Sequence, residues 1–477
     1  MTVETTARTR QVSRALVPVL ALCGIGVALM QTLIVPLLPQ LPVLLDATPE
    51  NTSWAVTATL LAGAIVTPIS GRLGDMYGKR RMLVGSPAVM VVGSVVCAMT
   101  TSLVPLVVGR ALQGAAVGVI PLAIAVLRDE LPARRVPGAM ATLSATLGVG
   151  GSVGLPFAAG VAQLTGWHML FVVSAVIGVL GIVLTLWVVP ESEARRPGRF
   201  DYVGAVLLSV ALILLLLPVS KGSTWGWASP VTIGMSAGAV VVAVCWVSFE
   251  SRQPRPLVDV RLSGRRPVLM TNAASIALGF AMYANVLAFP QLLMAPHETG
   301  YGFGQSMLMA GIALAPSGLV MMSLSPVSAR ITDRFGARTT LACGAVTLGA
   351  GYLFAYWFHT EVRHIVVAAM LVGAGVGLAY AAMPALIMSA VPLSESAAAN
   401  SLNTLMRSIG TSSAAAVVGV VLAAMTVRIG DAVVPSLAGF RATFLIAVAA
   451  TAVALVFTAM IPRSRPPLEA VADTSAR

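Results

Sequence analysis

Fourteen apolar stretches, most of them about as long as the roughly 20 residues a membrane-spanning helix needs, run the length of the chain and limit what it can fold into. They cover residues 15–38, 53–71, 82–100, 104–126, 138–160, 168–190, 202–220, 230–249, 268–290, 307–328, 340–358, 365–389, 401–427 and 441–461. Such stretches fit an all-α polytopic membrane protein. The composition agrees, with 57% hydrophobic and 10% charged residues against about 25% charged in a soluble domain.

The formal net charge of +12 raises nucleic acid as a partner, but the basic residues sit in alternate loops. Clusters fall at Arg8, Arg10 and Arg14; Arg72, Lys79, Arg80 and Arg81; Arg128, Arg134 and Arg135; Arg195, Arg196 and Arg199. They continue at Arg252, Arg255, Arg261, Arg265 and Arg266; Arg330, Arg334 and Arg338; Arg463 and Arg465. The charge therefore reads as topology rather than nucleic-acid binding. The positive-inside rule places these loops in the cytoplasm, puts both termini inside and requires an even number of spans. Residues 1–14 form a polar, basic N-terminus, and the first apolar run lacks a small-residue cleavage site, so it reads as a retained helix.

GRLGDMYGKR at 71–80 matches ARITDRFGAR at 329–338, with Arg72, Asp75, Gly78 and Arg80 aligned to Arg330, Asp333, Gly336 and Arg338 at a constant offset. LPQL at 38–41 likewise matches FPQL at 289–292. Repeated halves are how many transporters build a central site. The organisation expected is an N-terminal six-helix bundle (15–190), two inserted helices (200–250), a cytoplasmic linker (251–267), a C-terminal six-helix bundle (268–462) and a cytoplasmic tail (463–477).

Chemistry-bearing positions are few. Gly71 and Gly78 permit close helix approach and a tight turn, and Asp75 can cap a helix or bind an arginine. Arg110 lies about six to nine residues inside the fourth span, roughly 9–14 Å at 1.5 Å per residue. At such depth an arginine costs at least about 2.5–3.5 kcal/mol, so it should face a polar cavity or a partner, with snorkelling as the alternative. Gln113 and Gly114 follow on the same helix. Arg407, near the start of the thirteenth span, reads as snorkelling. Gly150, Gly154, Pro156 and Gly160 allow close packing and a bend in the fifth span. Gln31, Thr32, Met282, Tyr283, Asn285 and Tyr380 are candidates to line a midplane cavity, although a lone polar residue in a span more often bonds a neighbouring helix.

GRLGDMYGKRR, LVVGRALQGAAVG at 106–118, SWAVTATLLAGAIVTPISGRLGD and PLVDVRL at 256–262 together resemble the major facilitator superfamily, more narrowly its drug:proton antiporter branch with fourteen spans. The resemblance implies a major facilitator fold of two six-helix bundles plus two inserted helices. It also implies proton-coupled efflux of drugs or amphipathic small molecules, with Arg110 in the coupling and the loop motifs as gates. Two departures stand out. The antiporter Gly-Pro pair of the fifth span is here Gly154, Leu155, Pro156, and Met30 stands where the branch places a first-span aspartate.

Every Asp and Glu falls in a loop or near a helix end, so proton coupling is an implication of the resemblance alone. Asp46, Glu50, Asp75 and Asp333 are possible carriers, with solvated loop charge as the plainer reading. The partners expected are an amphipathic or hydrophobic solute, protons and the lipid bilayer, with the proton gradient as energy source. A strongly anionic cargo would call for more buried cations.

No metal-ligand or phosphate-loop spacing appears, GVGGSVG at 148–154 lacks a preceding strand, and Cys23, Cys97, Cys245 and Cys343 lie singly in apolar runs, so no enzyme, metal or cofactor is expected. An uptake permease and a non-transporting membrane sensor of the same fold remain the alternatives. With 28 arginines to two lysines, the composition fits a GC-rich bacterium and its cytoplasmic membrane.

Overall fold

A computed structural model of the chain describes residues 15–34, 37, 41–132, 135–191, 198, 200–254, 256–392, 395–429 and 432–462. Expectations for residues 1–14 and 463–477, and for Arg134, Arg195, Arg196, Arg199 and Arg255, lie outside those residues.

Long helices follow the apolar runs. The N-terminal half holds α1 (Leu16–Thr32), α2 (Trp54–Tyr77), α3 (Lys79–Met99), α4 (Leu103–Glu130), α5 (Val136–Thr165) and α6 (His168–Val188). Next come α7 (Tyr202–Trp225) and α8 (Pro230–Glu250). The C-terminal half holds α9 (Arg266–Met294), α10 (Met307–Ser323), α11 (Ser325–Phe335), α12 (Ala337–Trp357), α13 (Val362–Ala390), α14 (Ser396–Ala424) and α15 (Leu437–Met460).

Among the described residues eleven helices are long and apolar enough to cross a membrane, and α10 with α11, bent by 40°, makes twelve. The expected count of fourteen also needs α1, with 17 residues, and α5, with 30. α1 stops short of the expected residue 38 because Pro36, Pro39 and Pro42 follow closely, and proline disfavours helix in itself and in the residue before it. The thirteenth apolar run begins its helix earlier than expected, at Ser396 rather than 401. Its far end gives way to an antiparallel pair, β1 (Thr426–Ile429) and β2 (Ala432–Pro435), missed by the sequence reading although β-branched residues flank Gly430 and Asp431.

Small residues set the helix spacing, as expected where lipid supplies no hydrophobic drive between helices. A side chain at Gly93 in α3 would collide with the Gly109 carbonyl of α4. Gly351 in α12, at the same 258-residue offset as the loop motifs, meets Ala368 and Val372 of α13 in the same way. Each half has its own core: one cluster joins α9 to Tyr352, Val372, Phe440 and Phe444, and two others join α1, α3, α4, α5 and α6.

The halves meet on two sides, α2 against α14 and α5 against α10, α11 and α13. α7 lies along α2 and α14, packing Ala205, Leu208, Leu212 and Leu216 with Ala64, Leu402 and Leu405, while α8 packs on α7. Near the far end of α7, Lys221, only 3% exposed, donates to Ser53 Oγ and stands 4.8 Å from the Trp54 ring centroid.

Candidate functional site

Two large groups of polar side chains are buried in this bundle. The first surrounds Arg110, seven residues into α4 and 1% exposed. Its Nε donates to the Ala55 carbonyl of α2 (3.0 Å), and its Nη1 donates to the Met30 carbonyl of α1 (3.3 Å) and to Gln113 Oε1 (2.6 Å). The Met30 sulfur lies 3.9 Å from the same nitrogen. Gln113 Nε2 continues the chain to Ser94 Oγ (2.8 Å), which lies 3.3 Å from Ser174 Oγ.

Arg110 therefore ties α1, α2 and α4 together through neutral acceptors, as a deep cation without a carboxylate must. Snorkelling is excluded by this geometry. Gly114 packs against Thr59, Ala62 and Gly63 of α2, which makes it a point of close helix approach.

The second group grows from the loop motif. Gly78, with φ 113° and ψ 132°, closes α2 and opens α3, a backbone geometry that glycine adopts without strain. Asp75 is fully buried and accepts from the backbone N–H groups of Ala397 (3.4 Å) and Ala398 (2.9 Å) in the first turn of α14. A carboxylate there caps the helix and meets the positive end of its dipole.

Lys79, also fully buried, sits 3.8 Å from Asp75, 2.7 Å from Asp129 Oδ2 and 3.1 Å from Ser396 Oγ. Arg128 Nη2 donates to the Val391 carbonyl just beyond α13 (3.0 Å). Arg72 is 3% exposed, and Gly71 lets α2 approach Ser401 and the Ala397 carbonyl. Residues of α2, α3 and α4 thus hold the start of α14 and the segment before it: one half grips the other.

The symmetry mate is looser. Gly336 makes the same turn with φ 86°, but Arg330 and Asp333 are exposed. What the copies share is the arginine: Arg80 donates to the Leu186 carbonyl at the end of α6, and Arg338 to the Ala459 carbonyl at the end of α15 (2.8 Å).

On α5, Gly150 fits against Ile25, Ala28 and Leu29 of α1, Gly154 against Thr32, and Pro156 against Gly311 of α10. Gly160 has nothing within 4 Å of where a side chain would start, so the expected close approach is not made there.

The cavity candidates divide. Thr32 bonds its own helix at Leu29 (3.0 Å) and reaches the Gly150 carbonyl of the neighbouring α5 (3.5 Å), the bland reading of a lone polar residue, and Gln31 and Tyr283 are half-buried. Tyr380 of α13 donates to the Met282 sulfur of α9 (2.6 Å), and the Arg407 guanidinium lies 4.5 Å from the Tyr380 ring centroid. Arg407 is eleven residues into α14, roughly 16 Å from its start at 1.5 Å per residue, because the helix starts at Ser396. The snorkelling expected for it gives way to stacking inside the C-terminal half. Asn285, one turn from Met282, has a buried Oδ1 without a hydrogen-bond partner.

Sequence reasoning takes Lys79 for a loop charge and Arg407 for a snorkelling one, and it does not reach Asp129 or the α9–α14 clasp in which Asn403 Nδ2 meets Asn272 Oδ1 (2.9 Å) and Ser275 Oγ (2.7 Å). One signal was available: the chain's two lysines, among 28 arginines, are both buried. At the other end of the bundle His359, 7% exposed, lies 3.5 Å from Arg441. Burial, with the neighbouring Arg441 charge, holds its imidazole below the ordinary histidine value. An apolar cavity of about 430 Å³ opens between α9 and α14 at the β1–β2 end, lined by Leu287, Gln291, Ala415, Val418 and Leu422 among others.

A family model described as Major Facilitator Superfamily matches residues 20–200 and 261–476, leaving out the stretch that holds α7 and α8. An uncharacterized MFS-type transporter of Mycobacterium tuberculosis is 27% identical over 394 residues; the match takes in 82% of this chain, which spans only 56% of that relative's length. The multidrug resistance protein Stp of the same species is 29% identical, over 79% of this chain and 69% of that one. The tetracenomycin C resistance and export protein of Streptomyces glaucescens is 27% identical, over 87% of this chain and 77% of that one. Among solved structures, the human organic anion transporter MFSD10 has a TM-score of 0.66 at 16% identity, covering 94% of this chain and 99% of that one. The proton:xylose symporter XylE has a TM-score of 0.64 at 12% identity, covering 95% and 96%.

Proposed function

The chain belongs to the major facilitator superfamily, and from that premise we propose that it is a secondary active exporter of amphipathic small molecules in a bacterial cytoplasmic membrane. In this reading α1 and α5 join the eleven candidate helices and the bent α10–α11 pair to give fourteen spans, as in the drug:proton antiporter branch, and the loop motifs face the cytoplasm with both termini. The names of two relatives, one for multidrug resistance and one for tetracenomycin C resistance and export, support efflux as the direction.

One observation carries the reading: the buried grip of Asp75 and Lys79 on the first turn of α14. A grip across two halves is a gate if the halves rock, because opening that face requires its bonds to break. Asp75 is the carboxylate through which protons couple to it. Protonation removes the charge that the Ala397 and Ala398 amides and Lys79 hold, and favours release.

The test is reconstitution in liposomes with a panel of amphipathic fluorescent dyes of both charge signs under an imposed pH gradient, comparing wild type with Arg110→Ala. Efflux that needs the gradient and is lost in the variant is expected. Wild-type flux indifferent to the gradient removes proton coupling, and absence of flux across the panel removes the exporter reading.

A further inference from the structure

The bundle is lopsided in charge. Among the described residues, every Asp and Glu lies outside the helices or within three residues of a helix end. The cations go deeper: Arg72 and Lys221 lie five and four residues from the ends of α2 and α7, and Arg110 and Arg407 seven and eleven residues into α4 and α14. Arg110 is packed away against neutral acceptors of its own half. Arg407 is only half-buried, and its ring partner is held by the bond between Tyr380 and Met282. Three helices, α9, α13 and α14, converge there, and none of them contains an Asp or Glu. Along α14 the nearest acidic residue is Glu395, twelve positions away, roughly 18 Å at helical rise.

A guanidinium this deep in a span is costly, and contact with one aromatic ring returns only part of that cost. The Tyr380 hydroxyl oxygen also accepts from Arg407, which leaves the remaining N–H groups of the guanidinium for a carboxylate. A cationic solute would meet like charge here with no carboxylate to offset it.

We propose that Arg407, with Tyr380 and Met282, binds the acidic group of the exported solute, which makes the cargo an amphipathic organic acid. The inference rests on the exporter reading and narrows its substrate class. One accessible cation suits one acid group, and the methionine and the α9–α14 cleft suit an apolar body. Asn285, with its unpartnered amide oxygen, follows Met282 by one turn of α9 and adds a carboxamide to that stretch of the helix.

The test uses the full-length purified protein and three probes of one shape: a naphthalene carboxylate, its neutral carboxamide and a naphthyl trimethylammonium. Binding is read from the shift in thermal unfolding, and flux from proteoliposomes. The acid is expected to bind at least tenfold tighter than the amide and the ammonium. Arg407→Gln is expected to erase that preference and Arg407→Lys to keep part of it. Because the charge preference is read on wild type, the test holds even if a variant folds poorly.

Absence of a preference for the acid in wild type, or an undiminished preference in Arg407→Gln, overturns the proposal. Arg407-dependent binding of the acid supports it whether or not flux follows. Binding without flux refutes the exporter reading on its own.

Discussion

At Gly78 and Gly336 the chain makes the same turn, and the arginine two residues on, Arg80 or Arg338, is tied to a carbonyl at the end of its own half's last helix. Asp75 and Asp333 occupy matching places in these turns, yet one is fully buried against α14 and the other is exposed. The difference comes from what each aspartate meets. The first turn of α14, Ser396-Ala397-Ala398, offers two backbone N–H groups and small side chains. The first turn of α5, which packs near α11, has Pro137 at the second position, and proline has no N–H to give. Lys79 adds a buried cation on one side, whereas Ala337 holds that place on the other. Repeated sequence fixes the turn in both halves; the buried contact between the halves forms at one of them, where Lys79 departs from the repeat and the α14 backbone offers its N–H groups.

If that asymmetry is functional, the largest difference appears in flux. Asp75→Asn is expected to lower the initial rate of efflux from proteoliposomes at least tenfold, and Asp333→Asn to change it by less than about twofold. Equal losses in the two variants would break the comparison. Stability separates the copies next. Lys79→Met takes away the buried cation that Asp129 and Asp75 share and should cost about 3–5 kcal/mol in thermal or denaturant unfolding. Adding Asp129→Asn to it should recover part of the loss, since a fully neutral replacement removes the stranded charge. Ala337→Lys, at the matching place, should stay within about 0.5 kcal/mol.

What the copies share should respond alike. Arg80→Ala and Arg338→Ala each forfeit one hydrogen bond to a helix-end carbonyl, and each should cost about 0.5–1.5 kcal/mol in the same unfolding assay. The smallest effect lies at the other end of the bundle. His359 is held below its unfolded value of about 6.5, so the folded protein binds fewer protons than the unfolded chain once pH falls below that value. Its contribution to stability is present above pH 6.5 and is lost as pH falls through the folded value. His359→Gln should flatten that acid limb and leave flux at neutral pH unchanged.

Much of this was legible beforehand because it depends on local pattern. Apolar length placed the helices, and the spacing of Gly, Arg and Asp placed both turns. The depth of Arg110 was readable from its position in LVVGRALQG and its need for partners from its charge, but the sequence could not say that the partners would be the Met30 and Ala55 carbonyls. Backbone acceptors leave no signature in residue identity. Arg407 reads as snorkelling because the apolar run starts at 401, while the helix starts at Ser396 with small residues that carry little hydropathy signal. The clasp of Asn272 on Asn403 joins positions 131 residues apart, and no spacing rule links such a pair.

The central claim, that Asp75 holds the two halves together at one end and lets go during transport, is tested most directly by a distance. Spin labels at Tyr77→Cys and Ser389→Cys, both exposed positions at that end of α2 and α13, in a background with Cys23, Cys97, Cys245 and Cys343 replaced, would report the gap by pulsed electron resonance. A short-distance population in the resting protein that moves to longer distances in Asp75→Asn is the expected result. The same distribution in both proteins would contradict the claim.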